Sequence, residues 1–429
     1  MLTLLKCDSR LLLCICMLML MLALRDIAGV DFFNKLVIVA SIVSMMCLKY
    51  ENVVYFTFFM FPIMCGVPGY LITFAYIILV FKGPKLRSNQ IVPLIIVTLL
   101  EIINEAFRGV EGLYTGMLSF LSFTAVFFYF LNERERTYSV IKCLTCYGVG
   151  ATFTFIVIYS NMFVEYGLNA ILGGMLRNGA LGVVDNDITK MTGHLAMNAN
   201  TIAYISISVI TIFSVLLIQS TMNKMTKRFY VSVIFVCLAA GLLSFSRTFV
   251  SVLALFIISL ILIVKGKRRI QIIGALMILG IIVAILCSDV LFNMYDTFLG
   301  RMEDSNMATA GGRTVLFELY NKAWLKDISY VVFGAGVVSY WETLNVYNAI
   351  HNGLQQIWVC LGVIGFLTYV MRVYIYLYRC YVKNIILYLP FFMTLLIDQS
   401  IQFLAPYPLV LILLATLQMP RMVNKDSFI

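Results

Sequence analysis

The stretch VVYFTFFMFPIMCGVPGYLITFAYIILVF, residues 53–81, sets the architecture of the chain. It holds no charged residue, yet it is too long for one membrane span, because a hydrocarbon core of about 30 Å takes around 20 residues as helix. Pro62, Gly66, Pro68 and Gly69 cluster at its middle. Prolines remove helical N–H donors and glycines loosen the backbone, so the segment reads as a hairpin of two short spans.

Working outward, further apolar segments run at about 11–24, 36–48, 91–107, 113–131, 143–163, 195–218, 229–246, 248–264, 270–287, 352–371, 385–397 and 403–419. With 53–81 counted as two, the chain makes 14 crossings and both termini lie inside. The basic loops then share one side: Lys82/Lys85/Arg87, Arg134/Arg136/Lys142, Lys224/Lys227/Arg228, Lys265/Lys267/Arg268/Arg269 and Arg372/Arg379/Lys383. Of the 31 Lys and Arg and 21 Asp and Glu, the inner side takes 21 and 5, the outer side 10 and 16. That asymmetry is how cytoplasmic loops are marked. If two marginal early segments are not spans, the count is 12 and the later topology is unchanged. The expected fold is all-α, a single integral membrane domain over residues 1–429 built as a polytopic bundle of 12 to 14 spans.

Composition agrees. The chain has 429 residues, 62% hydrophobic and 12% charged, with a mean hydropathy of +0.97, far from the roughly 25% charged of soluble domains. The net charge of +10 sits in inner loops, which argues against nucleic acid as a partner. Lys6 and Arg10 before LLLCICMLMLMLAL imitate a signal peptide, but without a small-residue cleavage site the segment reads as the first anchor. Most of the eleven cysteines lie in apolar stretches as small hydrophobes. Cys143 and Cys146 have metal-like spacing but no second pair nearby, and the two histidines, His194 and His351, fall on the other side, so no metal site is expected. No GxxxxGK[ST] loop is present, so no nucleotide-hydrolysing engine is either.

Two outer loops are long, at about 164–194 and 288–351, and loops are where function concentrates. In the second, GGRTVLFELYNKAW at 311–324 spaces Val315, Leu316, Leu319, Tyr320, Ala323 and Trp324 along one helical face. This predicts an amphipathic helix at the outer membrane surface. FGAG at 333–336 then turns the chain, and Asn352 is placed to cap the span that follows.

Several residues could carry chemistry. Arg247, in the tight outer turn SFSRT, must meet water, a phosphate or a buried partner, since hydrocarbon is costly for a guanidinium. It suits a phosphate gripped by bidentate hydrogen bonds, or a lipid headgroup reached by snorkelling. Arg313 opens the amphipathic helix, where backbone N–H groups also favour an anion, and reads equally as a solvated helix-end cation. His351 stands where a wet loop meets a span, suited by its ordinary pKa to general-base work or to a structural role. Glu101, Asn104, Glu105 and Arg108 share one face of an outward-going helix, lining a cavity or forming an internal ion pair.

At these positions a resemblance appears. HNGLQQIWVCLGVIG at 351–365 resembles the His-Asn, Leu-Gln, Gly, Gly run of the O-antigen ligase and Wzy-type polysaccharide polymerase superfamily. GGRTVLFELYNKAW, VVFGAGVVSYW at 331–341, SFSRT at 244–248 and TGHLAMNANTIAY at 192–204 are similar to its Arg-led helix, Gly-x-Gly segment, Ser-Arg-Thr turn and Asn-x-Asn segment. The likeness covers about 190–370; the N-terminal half shares only hydropathy.

The resemblance implies a metal-independent, cofactor-free, inverting membrane glycosyltransferase of the bacterial inner membrane, working on its outer face. Arg247 and Arg313 would hold the undecaprenyl diphosphate of a lipid-linked oligosaccharide, and His351 would assist deprotonation of the acceptor hydroxyl. Asn198, Asn200, Lys190 and Asn352 would line the substrate cavity, Lys190 alone representing the basic residue implied before the Asn-x-Asn segment; Glu101, Glu105 and Arg108 join that cavity on the helix-face reading, not on the resemblance. The reading favoured is a polymerase making O-antigen or capsule, with a chain-length regulator and a flippase as further partners. A ligase transferring glycan to lipid A core, and a lipid-linked oligosaccharide flippase, are the alternatives.

Overall fold

The computed structural model describes residues 8–66, 70–108, 114–131, 137–176, 199–219, 222–264, 313–337, 340–346 and 352–379, with a few isolated positions besides. Every regular element among them is helical, the all-α architecture expected from the sequence. The expected spans at 270–287, 385–397 and 403–419 lie outside the described residues.

In chain order the helices are α1 (Ser9–Asp26), α2 (Phe33–Cys47), α3 (Tyr50–Met60), α4 (Tyr70–Lys82), α5 (Ser88–Arg108), α6 (Tyr114–Leu131), α7 (Val140–Leu172), α8 (Ala199–Gln219), α9 (Lys224–Leu243), α10 (Arg247–Ile263), α11 (Arg313–Trp324), α12 (Ile328–Phe333), α13 (Tyr340–Thr343) and α14 (Gly353–Arg379). Five carry windows long and apolar enough to cross a membrane: Ser88–Ala106, Val140–Leu172, Ala199–Ile218, Lys224–Leu243 and Gly353–Ile375. Phe33–Cys47, Leu71–Lys82, Phe120–Leu131 and Thr248–Ile263 are shorter apolar helices. Together they make a multi-pass membrane protein.

The broken segment at 53–81 behaves as its prolines and glycines dictate. α3 runs into a 3-10 turn at Phe61–Gly66, and α4 starts afresh at Tyr70 and packs back on α3. Every residue of α3 from Asn52 to Met60 is buried, so protein surrounds this short helix.

Two chemical habits fit a lipid solvent. Large apolar side chains stand on outer faces, with Leu13 70% and Phe81 85% exposed, where a water-soluble surface would be polar. Hydroxyls inside the helices bond back to the carbonyl four residues earlier: Ser41 to Val37, Thr57 to Val53, Thr124 to Phe120, Thr211 to Ile207 and Ser259 to Leu255. Each is satisfied within its own helix, as an apolar surround demands.

The described residues fall into two compact units. The first holds the described residues within 1–150 and 312–383, the second those within 151–311. In the first, α5, α6 and α14 pack together, α11 and α12 rest on α14, and α4 packs on α6. Its centre is aromatic: Phe127 and Phe128 lie 5.7 and 5.1 Å from the Tyr369 ring, whose hydroxyl shares a 2.9 Å hydrogen bond with Thr124. In the second, α8 packs against α9 and α10.

Candidate functional site

The first unit's site grows from the C-terminal end of α5. Glu101 and Asn104, one turn apart, are both buried, and a buried carboxylate or amide needs partners. The Val337 N–H donates to Glu101 Oε2 at 3.2 Å, and Asn104 Nδ2 donates to the Phe333 carbonyl at 3.1 Å. The two side chains thus hold the FGAG turn at both ends. Glu105 is half-buried.

The same turn is stitched to α14 by backbone. Ala335 N–H donates to Val359 O at 2.8 Å and Gly336 N–H to Cys360 O at 2.9 Å. This pairing is possible because α14 breaks at Gly362, whose φ is +63°. Opening the helical ladder there frees carbonyls, and a membrane helix tolerates a break only where other protein groups take up its polar atoms. Gly334, at φ +81°, lies against the same place. A Cβ on Gly334 would collide with the Cys360 carbonyl, and one on Gly362 with the Val332 carbonyl. Both positions need glycine for their left-handed φ and for the space. Gly362 is the tenth residue of α14, about 14 Å along it at 1.5 Å per residue. The turn therefore reaches to the apolar middle of that span, deeper than a surface loop.

The start of α14 is held as firmly. Asn352 Oδ1 accepts the Gln355 N–H at 3.0 Å, the capping that the sequence predicts. Gln355, 1% exposed, donates from Nε2 to Phe317 O at 2.8 Å and Asn321 Oδ1 at 3.2 Å, clamping α11 to α14. Leu316, Tyr320 and Ala323 of α11 are buried on that side, while Val315 and Leu319, expected on the same face, are exposed. The packed stripe is narrower than the apolar one.

Tyr340 completes the frame. Its hydroxyl accepts the Ile350 N–H at 3.0 Å, and its ring lies 5.7 Å from that of Tyr320. Burial pushes both phenols above their ordinary range by disfavouring the phenolate, so both stay neutral near physiological pH.

His351, Lys190 and Asn198 lie outside the described residues, as do the side chains of Arg108, Arg247 and Arg313. What the structure does give is the frame beside them. The two neighbours of position 351 are fixed, Ile350 by Tyr340 and Asn352 by its capping bond, and Arg313 opens the helix that Gln355 clamps.

The second unit holds the Asn-x-Asn and Ser-Arg-Thr segments. Ser246 Oγ donates to Asn200 Oδ1 at 3.3 Å, so the start of α8 meets the turn that launches α10. Ser244 Oγ donates to Gly241 O at 2.6 Å and accepts the Ser246 N–H at 3.3 Å, bracing Phe245 in a left-handed conformation at φ +49°. Arg247 is the first residue of α10, directly after this braced turn.

Sequence reasoning missed Tyr340, the Gln355 to Asn321 clamp and the helix break at Gly362. Gln355 and Gly362 stand inside the HNGLQQIWVCLGVIG run and Tyr340 inside VVFGAGVVSYW, so both motifs carried a signal without a role.

A family model described as O-antigen ligase matches residues 232–370. The matched segment takes in Arg247, the FGAG turn, Arg313, His351 and the first part of α14. It supports a place in the O-antigen ligase and polymerase superfamily. No curated protein matches the chain.

Proposed function

We propose that this protein is a metal-independent membrane glycosyltransferase that joins undecaprenyl-diphosphate-linked oligosaccharide repeat units into O-antigen or capsular polysaccharide, with inversion at the anomeric carbon. The observation carrying this reading is the family match over 232–370, which coincides with the framed segments around His351 and Arg313. Arg247 and Arg313 are assigned to the donor diphosphate. As the bond to the sugar breaks, negative charge grows on the leaving diphosphate, and fixed guanidinium groups stabilise it more in the transition state than in the ground state. His351 is assigned to the acceptor hydroxyl, taking its proton as it attacks. Energy comes from the lipid-linked bond. The lipid-linked glycan and the bilayer are the partners, with a chain-length regulator and a flippase alongside. The site faces the outer side of the inner membrane, with both termini cytoplasmic.

A second reading has a specific observation in its favour: the matching family carries the description of a ligase. A ligase would use the same donor chemistry but deliver glycan to lipid A core. Two measurements test the pair. His351→Ala and Arg313→Ala should leave the protein inserted and the surface glycan limited to a single repeat unit; normal length ladders in both variants would overturn the assignment. Product retained on undecaprenyl diphosphate marks a polymerase, and product on lipid A core marks a ligase.

A further inference from the structure

The turn at 340–346 divides its residues sharply. Tyr340, Leu344 and Val346 are buried and root it in the core, while Trp341, Glu342 and Asn345 are exposed. Trp341 is 36% exposed, stands nearly perpendicular to the Tyr340 ring at 5.1 Å, and its carbonyl accepts the Val346 N–H at 2.8 Å. Asn345 closes α13 at φ +52° and donates its N–H to Glu342 O at 3.0 Å. The result is an indole, a carboxylate and an amide exposed on one hydrogen-bonded turn. Its root, Tyr340, is the residue that fixes Ile350 next to position 351.

An exposed tryptophan on an ordered turn calls for a partner, since its large apolar area is costly to leave in water. A pyranose ring offers the complementary chemistry: axial C–H groups form a flat apolar face for an indole, and ring hydroxyls donate to a carboxylate and exchange hydrogen bonds with an amide. A lipid headgroup fits less well. Residues 337–350, VVSYWETLNVYNAI, contain no Lys or Arg and one Glu, whereas an anionic phosphate needs cations.

We propose that Trp341, with Glu342 and Asn345, is a carbohydrate-stacking platform that holds a sugar of the acceptor glycan beside the reacting end. This rests on the glycan reading above and deepens it by naming a binding residue outside the diphosphate and proton-transfer roles. Trp341 acts on binding, so its loss raises KM for the acceptor more than it lowers kcat.

The test uses the full chain in nanodiscs, with the oligosaccharide released by mild acid from its own lipid-linked substrate as the probe. The oligosaccharide should change the tryptophan emission of the wild type but not of Trp341→Phe, while brominated lipids leave Trp341 emission unquenched. In elongation assays Trp341→Ala should raise the acceptor KM by roughly tenfold, as truncation of an aromatic anchor does, with kcat little changed and Trp341→Phe largely restoring KM. An equal emission response in Trp341→Phe, or an unchanged KM in monodisperse Trp341→Ala, overturns the platform. Quenching by brominated lipid without a sugar response overturns it in favour of a membrane-belt tryptophan. If folded wild-type protein elongates no glycan while Trp341 still answers the oligosaccharide, the polymerase reading fails and the platform stands. If His351→Ala is inactive and Trp341 does not respond, the platform alone falls.

Discussion

The Glu101 carboxylate accepts the backbone N–H of Val337 at 3.2 Å across 236 positions of sequence. With Asn104 on Phe333, it ties a membrane helix of the N-terminal half to the turn before α13 and α14. A side chain picked out as cavity lining thus has a structural partner, and what it supports is the segment leading to His351. Glu101→Ala should leave the part-buried Val337 N–H without its charged acceptor and destabilise the fold by about 1–3 kcal/mol. Glu101→Gln keeps a carbonyl acceptor at the same reach and should lose less. Thermal unfolding of the two detergent-solubilised variants reads the difference; equal stability of Glu101→Ala and wild type would show that the bond contributes nothing.

The paired glycines give a sharper steric prediction. Gly334→Ala and Gly362→Ala each force a Cβ onto a backbone carbonyl at a left-handed position, where φ alone costs about 1–3 kcal/mol. Both variants should lose the docking of the turn on α14 and show faster proteolysis within 325–340. Gly274→Ala, whose Cβ would meet nothing within 4 Å, serves as a control and should behave like wild type. Wild-type proteolysis of either paired variant would rule out the close crossing.

Alkaline pH should loosen the α11 frame. Tyr320 and Tyr340 have phenols raised by burial above the ordinary value of 10.0. Between the unfolded and folded values the native state binds more protons than the unfolded state, so stability falls as pH rises. Their contribution is complete below about pH 10 and is lost progressively above it. Tyr320→Phe removes one of the two groups and should flatten that decline in unfolding curves taken from pH 8 to 11. An undiminished slope in the variant would place the alkaline sensitivity elsewhere.

Much of this was legible where the signal is local. The α11 helix follows from apolar spacing, the Asn352 cap from side-chain chemistry one turn from its acceptor, and the break in 53–81 from two prolines and two glycines. Each needs only a few consecutive residues. The width of the packed face was not legible, because Val315 and Leu319 are as apolar as Leu316 and only the position of α14 decides which are covered. Nor was the Glu101 to Val337 bond, since nothing in either segment names the other. Gly362 sits in a quoted motif, yet a glycine in an apolar run looks the same whether its helix is straight or broken. It breaks here because the FGAG turn supplies the N–H groups that make an opened ladder tolerable.

A polymerase of the proposed kind lengthens a lipid-linked glycan with energy from the glycan's own diphosphate bond. Purified protein should be given only its lipid-linked repeat unit, with a metal chelator and no nucleotide, and the glycan length scored. Longer chains still attached to undecaprenyl diphosphate, abolished by His351→Ala, are the result expected of the proposed polymerase. No lengthening by folded wild-type protein, or lengthening that His351→Ala leaves intact, would contradict it.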